Sequence, residues 1–451
     1  MAGNGNNSNS NLIKIKEQFD FGPYPYFPLE QSPQHETESL FIHNLTTPYY
    51  LKYKRLPPQD NLIILDAGCG SGYGALTLAL ANPNARIVGI DLSEKSIELA
   101  RHRLHYHGIK NYEFHVLPIE EIGCLNYQFD YINCDEVIYL SDDPQVTLQK
   151  LAQVLKPQGI MRVNFHDQYQ RAEQYRGQEF FEWLGLKKNN PEDQAIHTVR
   201  LIMQQLRDEV NLKKNCWQPA LGNRLDRWGQ EYILMNYLFQ CDKGFTPVEV
   251  SHYLDHAGLE LIEMVYWRKW RLTELFTDPE NVPAIIGAVE AIATPWERYY
   301  LRDLIHPHER LIDFWCGHPT ASQATILGEE SLIYLHPQLC TDVVKTAWRS
   351  TLEQGQAFPI SHFLKTPAQS CFFQAEVSLD FVTASVLWPL LEMPMRFSQI
   401  RDRWLHLYPQ DWSTPNPTDA KVITIKLQEI LFMLEKYLYV LIVSNSYSNP
   451  T

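Results

Sequence analysis

From residue 61 to residue 165 the chain alternates short β-branched runs with stretches whose apolar residues recur at helical spacing. That rhythm predicts a doubly wound, mostly parallel α/β sheet covered by helices on both faces. Strands are expected at 62–65, 86–90, 113–116, 131–133 and 160–165, with a helix over 75–81 and another opening at Ser93 and running to 104. Ser93 reads as an N-cap, and because Ser96 rather than Glu stands three residues on, the cap is an ordinary one.

After the fifth strand the alternation stops. Residues 168–244 read as helices, including an amphipathic stretch at 192–212. The α/β signal then returns: Thr246, Pro247 and Glu249 form a capping box with proline at N1, Gly258 stops the helix, and the apolar run 259–267 follows as a strand. This divides the chain into a ligand-binding domain at 13–167 and 245–275, interrupted by a helical insertion at 168–244. The insertion would stand over the carboxyl edge of the sheet, where a lid sits. A helical linker is expected over 276–360. Beyond it, 361–451 reads as a small helical or winged-helix-like module with helices at 385–391, at 397–405 and from Lys426 onward. The apolar stretch 430–443 is interrupted by Glu435 and Lys436 and is too short to span a bilayer, so it is read as a buried helix. There is no internal repeat.

Length and composition change this picture little. A chain of 451 residues exceeds one compact core, and 45% hydrophobic with 12% aromatic residues is ample for burial. The formal net charge of −14, without a basic run, argues against nucleic acid and anionic membrane surfaces as partners. The eight cysteines, Cys69, Cys124, Cys134, Cys216, Cys241, Cys316, Cys340 and Cys371, contain no C-x-x-C pair. With no secretory signal ahead of them, a reduced, cytoplasmic protein is expected. The opening Asn/Gly/Ser run reads as a disordered tail over 1–12. His252 with His256, and His306 with His308, lack zinc spacing, so no metal is expected.

The informative run is LDAGCGSGYG, Leu65 to Gly74, directly after the first strand. Gly68, Gly70 and Gly72 let the backbone turn sharply and approach a ligand closely, and the following helix N-terminus favours an anionic group. Asp91, ending the second strand within VGIDLS, is placed to take both hydroxyls of a ribose. Gly70, Gly72 and Ala75 also satisfy G-x-G-x-x-A, which leaves a nicotinamide-binding alternative open. Asp66 separates the two readings: it would oppose a pyrophosphate but suits a cationic sulfonium cofactor with an aminoacyl end.

LDAGCGSGYG, VGIDLS at 88–93, FDYINCDEVIYL at 129–140 and LKPQGI at 155–160 stand in an order and spacing that resemble class I S-adenosylmethionine-dependent methyltransferases. The resemblance implies S-adenosyl-L-methionine as cofactor. It places Asp66 and Gly68 at the methionine part, Asp91 at the ribose and the segment Leu117 to Glu120, with Ile119 and Glu120, at the adenine, and it counts Gly70, Gly72, Leu92 and Asn133 among the cofactor-binding residues. The acidic residue often found after the third strand is replaced here by Leu117-Pro118-Ile119, so backbone groups and apolar contact would hold the adenine.

Methyl transfer is an in-line displacement, so the protein mainly aligns the nucleophile, and a base is needed only where the nucleophile arrives protonated. The acceptor is expected beyond the fourth strand, with Asp135 and Glu136 as candidate catalytic carboxylates and Tyr139 as a positioning group. The competing reading has Asp135 capping the next helix and Glu136 solvated. A Glu-x-x-Glu-His cluster is absent here, which argues against a metal-assisted catechol reaction, and the absence of an Asn-Pro-Pro-Tyr loop weakens an amide acceptor. Ahead of the domain, DFGPYPYFPLEQSP at 20–33 reads chiefly as a packed arm, with Tyr24 and Tyr26 as the residues that would touch the cofactor if it closes as a lid.

The chain also resembles cyanobacterial methyltransferase chains through LFIHNLTTPYYL, NYLFQ and DFWCGHP. That resemblance implies transfer to a nitrogen of a protein side chain, with a phycobiliprotein asparagine as one candidate. A small-molecule N- or O-methyltransferase is the alternative of the same chemistry. A non-catalytic binding or assembly protein is the alternative of another class.

Overall fold

The computed structural model describes residues 5–188, 193–321, 324–365, 376–410 and 417–444; residues 1–4 of the expected tail and Cys371 lie outside them. Seven strands, β1 (Ile63–Ala67), β2 (Arg86–Asp91), β3 (Tyr112–Val116), β4 (Phe129–Cys134), β5 (Leu155–His166), β6 (Glu260–Met264) and β7 (Leu311–Gly317), form one sheet in the order β3-β2-β1-β4-β5-β7-β6. The first five are parallel and β7 runs antiparallel between β5 and β6. Strands β1 and β4 are almost wholly buried, as expected where helices cover both faces. Chain order reverses across the β1/β4 pair, so a crevice opens at their carboxyl ends.

The predicted caps form. The Ser93 hydroxyl accepts the Ser96 amide at 3.1 Å, opening the helix Glu94–Tyr106. Thr246 and Glu249 cap Pro247–Ala257 reciprocally, and Gly258 ends that helix in the left-handed region.

Five expectations change. A helix runs Gly5–Phe21, starting inside the stretch expected to be a disordered tail, because Ile15 and other apolar residues of its second half pack on the domain. The linker expected over 276–360 contains β7, whose register partners Met161 to His166 lie far back in the chain, out of reach of any local pattern. The C-terminal module begins earlier than 361: β8 (Leu332–Leu335) pairs antiparallel with β9 (Met395–Arg396) and with β10 (Val440–Val443). The run 430–443 is therefore not one helix. The helix Ala420–Lys436 ends there, the chain turns at Leu438 with φ 56°, and the β-branched Val440–Val443 finishes as a strand. The amphipathic stretch at 192–212 likewise divides into Asp193–Gln205 and a short helix, Asn211–Cys216.

The small sheet docks on the helices Thr37–His43 and Thr46–Tyr53. The His336 ring packs on Phe41 with centroids 4.5 Å apart, and its Nε2 lies 3.0 Å from the Thr47 hydroxyl. The insertion has its own core around Phe181, Val199, Met203 and Tyr237. Among the described residues no helix is long and apolar enough to cross a membrane.

Candidate active site

A cavity of 380 Å³ fills the crevice at the β1/β4 switch point. Asp66, Gly68, Gly70, Asp91, Leu92, Ile119, Glu120 and Asn133 all line it. Gly72 does not. It starts the helix Tyr73–Ala81 at φ 82°, where a Cβ would meet Ala100 at 2.6 Å, so its smallness serves helix packing beneath the loop. Asp91 holds the loop in shape: one oxygen accepts the Gly70 amide at 2.9 Å and the other the Ser93 amide at 2.8 Å, leaving further lone pairs for a diol.

Asp66 is 3% exposed and pairs across the β1–β4 register with Asn133, whose Nδ2 donates to Oδ1 at 2.9 Å; Oδ2 has no partner. Burial, aided by Asp135 and Asp91 and opposed by Asn133, pushes its carboxyl up to about 7. A buried carboxylate oxygen with nothing to bind, in the wall of a cavity, is a place for a cation. That fits the α-ammonium of an aminoacyl cofactor and not a pyrophosphate.

The aromatic-proline arm closes the cavity on the outer side. Tyr24, Pro25 and Phe27 line it, together with Leu12, Ile15 and Phe19 of the first helix. The Tyr24 carbonyl accepts the Ser71 amide at 2.8 Å, and the Pro25 carbonyl accepts the Ser71 hydroxyl at 2.6 Å. Arg103 then ties loop to arm, donating to the carbonyls of Ser71, Phe27 and Pro28 at 2.9–3.0 Å. The arm is thus both packed and a cavity wall. Tyr26 takes no part in lining this cavity; its ring sits against Trp228.

At the end of β4 the three residues expected at the acceptor part company. Asp135 does not cap a helix. It accepts from Asn164 Nδ2 and from Arg162 Nη1, the latter at 3.1 Å. The same guanidinium grips Asp313 of β7 at 3.0 and 2.7 Å. Although burial alone would raise it, Arg162 holds the Asp135 carboxyl below the usual range. Glu136, at φ 58°, is not free in solvent either: both oxygens accept from Arg310, Oε2 from Nη1 at 2.8 Å, and this guanidinium outweighs burial and keeps its carboxyl low. Tyr139 faces a second cavity of 290 Å³ under the insertion, stacked on His166 with centroids 3.8 Å apart.

That second cavity shares Phe19, Tyr24, Glu136 and Glu231 with the first. Aromatic residues, among them Trp228, Tyr232 and Phe239 from the insertion, share its walls with Glu136, Glu231, Arg171 and Arg310. His166 Nδ1 lies 2.6 Å from Asp242, while its Nε2 lies 3.0 Å from Arg310; burial pushes the imidazole down to about 4, so it is neutral near pH 7. Sequence reasoning missed Arg103, Arg162, His166, Glu231, Asp242 and Arg310. Each converges on the site through contacts tens to hundreds of residues apart, and the one signal available was the unusual density of charge and histidine around HPHER at 306–310.

Residues 58–238 match a family described as a methyltransferase domain. An uncharacterized protein of Synechococcus sp. is 26% identical over 325 residues, spanning 72% of this chain and 76% of the relative. A malonyl-[acyl-carrier protein] O-methyltransferase of Acetivibrio thermocellus is 29% identical over 225 residues, 41% of this chain and 78% of that one. Among solved structures, PKMT2 from Rickettsia typhi in complex with AdoHcy superposes with a TM-score of 0.58 at 17% identity, covering 93% of this chain and 78% of that one, which is a likeness of fold.

Proposed function

From the premise that this chain carries a class I S-adenosylmethionine-dependent methyltransferase, we propose that it transfers the methyl group to an amine nitrogen of a protein side chain, in the cytoplasm. The observation that carries this reading is the second cavity. It abuts the cofactor cavity at Phe19, Tyr24, Glu136 and Glu231, encloses 290 Å³, and sets aromatic walls around two ion-paired groups, Glu136 on Arg310 and Arg171 on Asp242, and around Glu231. Aromatic faces and carboxylates attract a cation. A lysine-type side chain brings an apolar stem to the rings and its charged tip to Glu231.

In this reading the cofactor supplies an activated methyl carbon on a sulfonium. Asp66 Oδ2 holds the α-ammonium, Asp91 the ribose hydroxyls, and Leu117 to Ile119 with Glu120 flank the adenine. The arm excludes water from above. Glu136, fixed by Arg310, lies between the two cavities, and Tyr139 lines the second. Asp135 acts one step back, positioning Asn164, whose Oδ1 accepts the Glu136 amide at 2.8 Å.

A small-molecule amine is the second reading, favoured by the size of the same cavity. Incubation of the protein with cell extract and methyl-labelled S-adenosylmethionine tests both. Label in macromolecules that yields a methylated basic amino acid on acid hydrolysis supports the proposal; label in small solutes alone supports the second reading. Methylated asparagine would move the acceptor to an amide, and no transfer beside intact cofactor binding would favour a binding role.

A further inference from the structure

Glu231 belongs to the insertion helix Arg227–Tyr237, far in sequence from the residues of the cofactor site. It lines the cofactor cavity and the aromatic cavity, and also a third cavity of 260 Å³ bounded by Phe21, Arg227 and Met235. Met235 is shared between the second and third. Phe21, on the rim of the third, is 40% exposed. The three spaces therefore share one carboxylate, which links the cofactor cavity to the cavity that Phe21 rims.

We propose that Glu231 receives the proton that the acceptor ammonium must shed before it can attack. This inference rests on the amine reading above. The other carboxylates at the junction are committed: Asp135 to Asn164 and Arg162, and Glu136 to Arg310 through both oxygens. Glu231 has one oxygen oriented by the Tyr26 amide at 2.7 Å, while Oε1 has no partner among the described residues. Burial pushes its carboxyl up to about 6, a value suited to accepting a proton near neutral pH. The charged and titratable groups around it are Arg227 and Tyr232 on its own helix, Tyr24 and Tyr26 on the arm, Glu136 with Arg310 at the sheet edge, Tyr139 and Arg171 in the second cavity, and Asp193 in the third. His166, lining the same second cavity, is the weaker base, being held by Asp242 on one nitrogen and approached by Arg310 on the other.

The step balances. One N–H bond of the ammonium breaks and its proton passes to a Glu231 oxygen. The freed lone pair forms the N–C bond as the C–S bond breaks, and those electrons neutralise the sulfonium sulfur. The proton on Glu231 then leaves to solvent along the third cavity.

The test uses the full chain, methyl-labelled S-adenosylmethionine and poly-L-lysine, with the label in cell-extract protein identified by hydrolysis in parallel. In the wild type kcat should fall about tenfold per pH unit below about 6. Glu231→Gln should lose that break and fall on the order of 100-fold at pH 8, with S-adenosylhomocysteine affinity changed less than twofold. Glu231→Asp should recover part of the rate and keep a break. A Glu231→Gln protein with the wild-type rate and pH profile overturns the proposal while leaving the amine reading standing. Unmodified poly-L-lysine together with no methylated amine in the extract overturns the amine reading, and the proposal with it.

Discussion

Asp66 and Asn133 face each other across the β1–β4 register, and the asparagine satisfies one carboxylate oxygen at 2.9 Å while the other stays bare at the wall of the cofactor cavity. Without a cation beside it this carboxyl titrates near 7. Binding of an ammonium there requires the ionised form, so complex formation below pH 7 must release a proton. Affinity for S-adenosylmethionine should therefore rise, approaching tenfold per unit below pH 7, and level off above about 8. Calorimetry in buffers of different ionisation enthalpy reads the proton directly. Asp66→Asn should flatten the dependence and bind weakly at pH 8; a flat wild-type profile would place the ammonium elsewhere.

Asp91→Ala removes the acceptor of two loop amides, Gly70 and Ser93, as well as the ribose contact. Hydrogen bonds to a charged partner contribute about 1.5–3 kcal/mol each, so S-adenosylhomocysteine affinity should drop at least tenfold by calorimetric titration. An unchanged affinity would contradict the assigned role.

Gly70→Ala puts a methyl 2.1 Å from the Tyr24 carbonyl at φ 49°, and that carbonyl is backbone, so it cannot swing aside. The arm should lift. Hydrogen exchange of the Ser71 amide, which donates to Tyr24, should accelerate, and cofactor binding should weaken with it. Unaltered protection at Ser71 would show that the loop shifts instead.

Arg162→Met strips the partner from Asp313 and Asp135 together, both facing the guanidinium from neighbouring strands. Breaking a buried pair by removing one partner costs about 3–5 kcal/mol, which urea unfolding should register. Asp313→Asn is expected to be milder, because burial already lifts that carboxyl to about 6 despite Arg162.

Tyr50→Phe tests how the C-terminal module is held. The phenol donates to Glu435 at 2.6 Å and accepts the Ile442 amide at 2.8 Å, and the substitution leaves that buried amide unpaired, at about 1–3 kcal/mol. The expected result is earlier proteolysis within the module and a lower thermal midpoint. Equal protease resistance would mean that Phe41 and Thr47, around His336, suffice for docking.

The parts of the molecule whose information is local are legible along the chain. The β-branched runs at 86–90 and 160–165 placed strands because a buried strand needs continuous apolar side chains, and Thr246-Pro247-Glu249 placed a helix start because those side chains cap their own backbone. Gly68, Gly70, Asp66 and Asp91 were legible for the same reason: a turn and a short carboxylate act within a few residues of themselves. Whatever depends on distant neighbours arises only on folding. Strand β7 pairs with residues more than a hundred positions back, so nothing in Leu311–Gly317 itself says where it lies. Asp135 and Glu136 read as free carboxylates along the chain, and only folding brings Arg162 and Arg310 to occupy them. Glu231, an ordinary residue of the helical insertion by sequence, reaches the cofactor cavity because the insertion folds back over the sheet edge. A side chain's type and spacing are properties of the chain, but its partners, and with them its charge and chemistry, exist only once the core has closed.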